Sequence, residues 1–127
     1  MIAVDTSALM AIALGEEEAD ACTKVLETES EVVISAGTLA EALIVAARRN
    51  VVEEVRRLVD GVGFQIVWVT SASARRTAAA HTRWGRGVHP AGLNFGDCFS
   101  YEVAKEHSCP LLYVGDDFSR TDLEGMI

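Results

Sequence analysis

A chain of 127 residues, half of them apolar, is long enough to bury a real core and too apolar for a disordered tail. Its formal net charge of −8 excludes electrostatic capture of nucleic acid by the surface as a whole, and no apolar run approaches the roughly 20 residues of a membrane span. Cys22, Cys98 and Cys109 are odd in number and lack CxxC spacing, so buried thiols in a reducing compartment are expected rather than a disulfide or zinc site. The start, MIAVDTSALM, carries no basic flank before its apolar residues, and the expectation is a cytoplasmic protein with one domain over residues 1–127.

Met1 to Val4 reads as a short apolar strand with Asp5 at its carboxyl end and Thr6 and Ser7 behind it, ahead of a helical run from Ala8 to Leu14. Asp5 alone could be no more than a helix cap. Gly15 breaks the run, and Glu16 to Glu29 reads as a second helix with acids in its first turn. Glu31 to Ser35 is a second strand. It leads into a helix over Ala36–Ala47 whose one charged residue, Glu41, lies near the carboxyl edge of the expected sheet. Val51 to Val59 is a further helix, and Phe64 to Val69 is a third strand of β-branched and aromatic residues.

Thr70 or Ser71 caps a helix through His81 and Trp84. The loop GRGVHPAGLN that follows has no GxGxxG spacing and supports no dinucleotide fingerprint. Gly96 is a turn residue, and Asp97 opens a helix whose apolar positions recur up to His107, so a carboxylate sits in the first turn where the helix dipole favours an anion. Pro110 breaks the chain, Leu111 to Val114 has the texture of a buried parallel strand, and Gly115 ends it before Asp116 and Asp117. Phe118 to Thr121 is expected as a turn, with the tail Asp122 to Ile127 as an edge strand.

Helices alternating with short apolar strands predict an α/β fold, a three-layer α/β/α sandwich around a central parallel sheet. Ligands of open α/β sheets collect outside the carboxyl ends of the strands. Asp5, Glu41, Asp97 and the Asp116–Asp117 pair each fall just past a strand or early in a helix, so one rim can gather them. Crowded carboxylates repel unless a cation neutralises them, and hard oxygen donors without His or Cys select Mg²⁺ or Mn²⁺. A hard cation keeps open positions for water and phosphate oxygens, which is the chemistry of phosphodiester hydrolysis. Thr6 or Ser7 could then hydrogen-bond the scissile phosphate or a bound water.

Charge distribution adds a second expectation. Residues 1–47 hold one Lys against nine acids, residues 48–95 hold eight Arg against three acids, and residues 96–127 return to two basic against seven acidic. Arg forks onto phosphate better than Lys, so the middle segment, with Arg83 and Arg86, is expected to hold the flanking strand of a phosphodiester substrate. A solvated pair of helix faces explains the same counts equally well.

The segments MIAVDTSAL, EALIVAARR and AGLNFGDCFSYEVAKEHSCPLLYVGDDFSRTDL resemble the PIN-domain ribonucleases, in particular the VapC toxins of VapBC toxin-antitoxin modules. The resemblance spans nearly the whole chain, and LNFGDCFSY followed by GDDFSRTD is its most specific part. It implies a Mg²⁺- or Mn²⁺-dependent endoribonuclease acting on structured RNA such as tRNA or rRNA. It further implies a homodimer, inhibited by a small VapB antitoxin that places a peptide, often with an Arg, in the acidic site. By that likeness Asp5, Glu41 and Asp97 are the first three acids, with Asp5 and Asp97 the usual metal ligands. The fourth is contested between Asp116 and Asp117 in the compact VGDDF, and Asp116 is preferred as nearer the strand. Thr6 or Ser7 matches the hydroxyl after the first acid and Asn94 the residue before Gly-Asp, while Val114 stands where relatives often carry Lys. The apolar stripe of residues 8–26 and 36–59 is expected to bind the antitoxin.

Rival readings are weaker. A haloacid-dehalogenase-type phosphatase, which is Mg-dependent, needs an Asp two positions after the first, where Ser7 stands. A receiver domain wants an acidic pair beside the first strand and a late Lys. A catalytically idle PIN-like interaction module would keep the fold without the chemistry.

Overall fold

The computed structural model describes all residues from Met1 to Ile127. Four parallel strands form one sheet: β1 (Ile2–Val4), β2 (Val32–Ser35), β3 (Gln65–Val67) and β4 (Leu111–Leu112) lie in the order β3-β2-β1-β4. Register is set by Ala3, which faces Val33 on one side and Leu111 on the other. The chain thus builds outward from β1 in one direction and then returns to its other flank. That reversal is the topological switch point at which open α/β sheets bind ligands.

Six helices cover the sheet: α1 (Thr6–Leu14), α2 (Ala19–Thr28), α3 (Ala36–Arg48), α4 (Val52–Val62), α5 (Ser71–Trp84) and α6 (Phe95–Glu106). The two-residue period of the strands sorts them into layers. Ile2, Val4, Val32, Ile34 and Leu112 pack with Leu9, Cys22, Leu26, Ala42, Ala46, Val55 and Val59 from α1 to α4. Ala3, Val33 and Leu111, pointing the other way, pack with Ala80 and Trp84 of α5 and Cys98, Tyr101, Val103 and Ala104 of α6. The three-layer α/β/α sandwich expected from the alternation of elements is the architecture observed. All three cysteines are free thiols, Cys22 and Cys98 buried and Cys109 half-buried. No helix is long and apolar enough to cross a membrane.

Several boundaries differ from the sequence reading, each for a local reason. Helix α1 starts at Thr6 because Asp5 caps it, its side chain accepting the Ser7 N–H. The expected strand from Phe64 to Val69 shortens to Gln65–Val67, since β2 alone flanks it and offers only three partners; Trp68 beyond it is 81% exposed. The expected edge strand of the tail reduces to a single parallel bridge, Leu111 to Gly125. The apolar stripe assigned to an antitoxin is largely interior: Leu9, Ala11, Cys22, Ala42, Ala46 and Val55 are fully buried under the sheet. Its periodicity marked the core, and Ile44, 57% exposed, is the main large side chain left outside.

Candidate active site

The carboxyl ends of β1 and β4, the first turns of α3 and the N-terminus of α6 meet at one rim. Asp5 is the residue after β1 and is buried. Its Oδ2 accepts from the Ser7 backbone N–H at 3.0 Å and from the Ser7 hydroxyl at 2.7 Å. Its Oδ1 accepts from the Ser100 hydroxyl of α6 at 2.6 Å. The Ser7 oxygen in turn accepts the Val114 N–H at 3.0 Å, tying the end of β4 to the end of β1. Glu41 projects from α3 into the same rim, where its Oε1 accepts the Thr6 hydroxyl at 2.6 Å.

Asp97 lies in the first turn of α6, which starts two residues earlier than the sequence suggests because Asn94 is its cap. Asn94 Oδ1 accepts the Asp97 N–H at 2.8 Å and Asp97 Oδ2 accepts the Asn94 N–H at 3.0 Å, a reciprocal capping box. Gly96 makes room for the convergence. A Cβ at that position would fall inside the Glu41 carboxylate, so a glycine is what lets α3 bring its acid against the start of α6.

Burial and neighbouring charge both act on Asp97. The Asp97 carboxyl is pushed up to about 7, chiefly by burial, then by the charges of Asp5, Asp117 and Glu41, with the Asn94 N–H pulling the other way. Of the terminal pair, Asp117 is the one whose charge acts on Asp97. Asp116, preferred from its place in the sequence, lies instead beside Glu17, Glu18 and Ser119 in an outer groove. The strand stops at Leu112 and Gly115 turns the chain at φ +95°, so proximity to the strand in sequence is not proximity to the rim in space.

No three of these acids stand close enough to grip an ion as placed. The donor set is nonetheless all hard oxygen, and a cation would offset the mutual repulsion of these carboxylates. Asp5 and Asp97, buried and facing each other electrostatically, with Glu41 and Asp117 beside them, are the residues that fit such a cation.

The other expected contacts fall differently. Thr6 and Ser7 give their single hydroxyl protons to Glu41 and Asp5, so they orient carboxylates rather than present a free donor to substrate. Asn94 is exposed, and its oxygen is engaged as a helix cap. Arg83 stacks over Trp84 at 4.5 Å and pairs with Asp122 at 3.9 Å, outside the acidic rim. Arg86 is exposed in the loop after α5. Two residues at the site were missed: Ser100, fully buried one turn beyond Asp97, and Arg48, which lines a groove of about 340 Å³ with Glu41, Ile44, Phe95 and Phe99. The signal for Ser100 was a hydroxyl amid apolar neighbours of a buried helix face, which must find a partner.

Residues 2–124 match the family model described as PIN domain. The chain belongs to the PIN-domain family. Within it, the sequence falls with the VapC ribonucleases, being 41% identical to Ribonuclease VapC42 of Mycobacterium tuberculosis over 94% of this chain and 95% of that protein. The fold superposes on the crystal structure of Mycobacterium tuberculosis VapC20, a sarcin-ricin-loop-cleaving toxin, with TM-score 0.79 and 18% identity over 97% of this chain and 96% of that one. It is also similar to a chain of a toxin-antitoxin complex from Klebsiella pneumoniae, with TM-score 0.72 and 20% identity over 96% and 93% of the two chains.

Proposed function

We propose that the protein is a Mg²⁺- or Mn²⁺-dependent endoribonuclease that hydrolyses phosphodiester bonds in structured RNA, tRNA or rRNA, and is held inactive by a VapB-like antitoxin in the cytoplasm. One observation carries the reading: Asp97 is buried at a strand-end rim together with three other acids whose charges all oppose its ionisation. Such an arrangement costs folding energy and gains nothing from packing, so a cation is its natural occupant.

Asp5 and Asp97 would hold that cation, with Glu41 and Asp117 completing its charge balance. When bound it neutralises phosphate oxygens and makes an attacking water more nucleophilic. Ser7 and Ser100 keep the Asp5 carboxylate in one orientation, and Thr6 does so for Glu41. Arg48, a cation in the groove that Glu41 also lines, is placed to take an RNA phosphate. The antitoxin assignment rests on the toxin-antitoxin complex among the structural relatives and on the rim's negative charge, which suits a basic peptide.

A homodimer fits the apolar surface next to the site. Phe95 is 76% exposed and stands edge-on to Phe99, ring centroids 5.0 Å apart. The two rings separate the Arg48 groove from a second groove of about 510 Å³ lined by Val69, Ala74, Ala78 and His81. A continuous apolar patch of this kind is characteristic of an interface. The decisive test is RNA cleavage with added Mg²⁺: the wild type cuts and Asp97→Asn does not while its circular dichroism is unchanged. Equal cleavage by both would end the assignment.

A further inference from the structure

Three features lie outside the acids themselves. The pocket of Arg76, Arg83, Trp84 and Tyr101 on the far face of α5 and α6 has its cations spent on Glu102, Glu106 and Asp122. The outer acidic groove at Glu17, Glu18 and Asp116 shows nothing that would occupy it. The third is a chain of buried hydroxyls behind Asp5, and its geometry is complete.

Ser100 and Thr38 are both fully buried, and their hydroxyl oxygens are 3.1 Å apart. Each hydroxyl has one proton. Ser100 gives its proton to Asp5 Oδ1 at 2.6 Å, so the proton between Thr38 and Ser100 must come from Thr38. The chain therefore runs in one direction, from α3 through α6 to the end of β1, and each donor polarises the next. The opposite oxygen of Asp5 already accepts two bonds, from the Ser7 N–H and the Ser7 hydroxyl. A carboxylate offers about four acceptor sites, two on each oxygen. Three are taken, and the fourth is on Oδ1.

We infer that Ser100, backed by Thr38, is a positioning residue that fixes the Asp5 carboxylate and leaves a single open acceptor site, on Oδ1, for a cation. This rests on the metal-dependent reading given above. Ser100 touches neither RNA nor cation; it acts by fixing the carboxylate plane, in the way that partners of metal ligands commonly do. Because the same bond bridges α6 to β1, it also sets the spacing between Asp5 and Asp97, which lies one turn earlier on α6.

The test is Mn²⁺ titration by calorimetry on the whole protein, with the melting temperature of each variant measured in EDTA. Ser100→Ala is expected to weaken Mn²⁺ binding about tenfold or more, the usual effect of losing a partner of a metal ligand. Its cation-free melting temperature should fall by several degrees with the fold retained, as loss of one buried hydrogen bond to a charged group requires. Thr38→Val, isosteric and still apolar in its packing, is expected to weaken Mn²⁺ by a smaller factor, and the double variant to bind no worse than Ser100→Ala alone, as two links in series require. Unchanged Mn²⁺ affinity in Ser100→Ala, beside a wild type that binds, overturns the positioning role and leaves the metal reading intact. Additive losses in the double variant overturn the series arrangement. A wild type that binds no Mn²⁺ overturns the metal reading and this inference together.

Discussion

Replacing Asp97 by Asn should stabilise the cation-free protein at alkaline pH while abolishing its use of a cation. The folded carboxyl sits near 7 against an ordinary 3.8. Because the folded state holds this proton more tightly than the unfolded chain, its contribution to stability is fully present below about pH 4 and is lost as pH rises through about 7. At pH 8 the ionised wild-type group costs the fold about 4 kcal/mol relative to the unfolded chain. The amide is neutral, and its oxygen can still accept the Asn94 N–H that Asp97 accepts at 3.0 Å. What is lost is the attraction of a charge to the helix N-terminus, about 0.5–1 kcal/mol. The net gain is about 3 kcal/mol, on the order of 10 °C in melting temperature for a domain of this size. Thermal unfolding of both proteins in EDTA from pH 4 to pH 8.5 reads it directly: the curves should meet near pH 4 and diverge upward, and added Mn²⁺ should raise only the wild type. An Asp97→Asn variant no more stable than wild type at pH 8, or an advantage that does not change with pH, refutes the reasoning.

Gly96→Ala should push the flexible tip of Glu41 out of the rim at little cost in chemical denaturation but with loss of most of the RNA cleavage; a fully active variant would show that Glu41 has room elsewhere. Asp117→Asn should weaken Mn²⁺ binding and Asp116→Asn should not, as followed by calorimetry, and the opposite ranking would restore the preference for Asp116. Phe95→Asp should leave the fold intact and give a monomer in sedimentation equilibrium where the wild type dimerises; a dimer in both would move the interface away from this patch. Arg48→Ala should reduce RNA affinity and its salt dependence more than Arg83→Ala, measured by fluorescence anisotropy, since Arg83 is engaged by Asp122.

Much of the fold was legible because β1 and β2 are short apolar runs that end at a polar residue. Val4 before Asp5, and the run from Leu111 to Val114 ahead of Gly115, announced the edge where the acids gather, although β4 itself stops at Leu112. The two faces of the sheet were expected to be covered, and the two-residue period puts Ala3 toward α6 and Val4 toward α1. What the sequence concealed depends on pairings between distant residues. The Arg-rich middle looked like one basic surface, but Arg56 and Arg57 face Glu53 and Glu54 on their own helix and Arg76 reaches Glu102 and Glu106. The apolar faces of α1, α2 and α3 looked like a docking stripe because a periodic pattern does not say whether the protein's own sheet or a partner covers it. The roles of Thr6 and Ser7 likewise turned on where one proton goes, and that is decided by Glu41 and Asp5 across the fold.

In the proposed site, carboxylates from the end of β1, α3, α6 and the turn after β4 serve a divalent cation. Electron paramagnetic resonance of free Mn²⁺, titrated against the protein at pH 8, addresses it without RNA or activity. The account predicts that wild-type protein removes Mn²⁺ from solution at a saturable site and that Asp5→Asn and Asp97→Asn each lose it; undiminished uptake by the double variant would contradict the account.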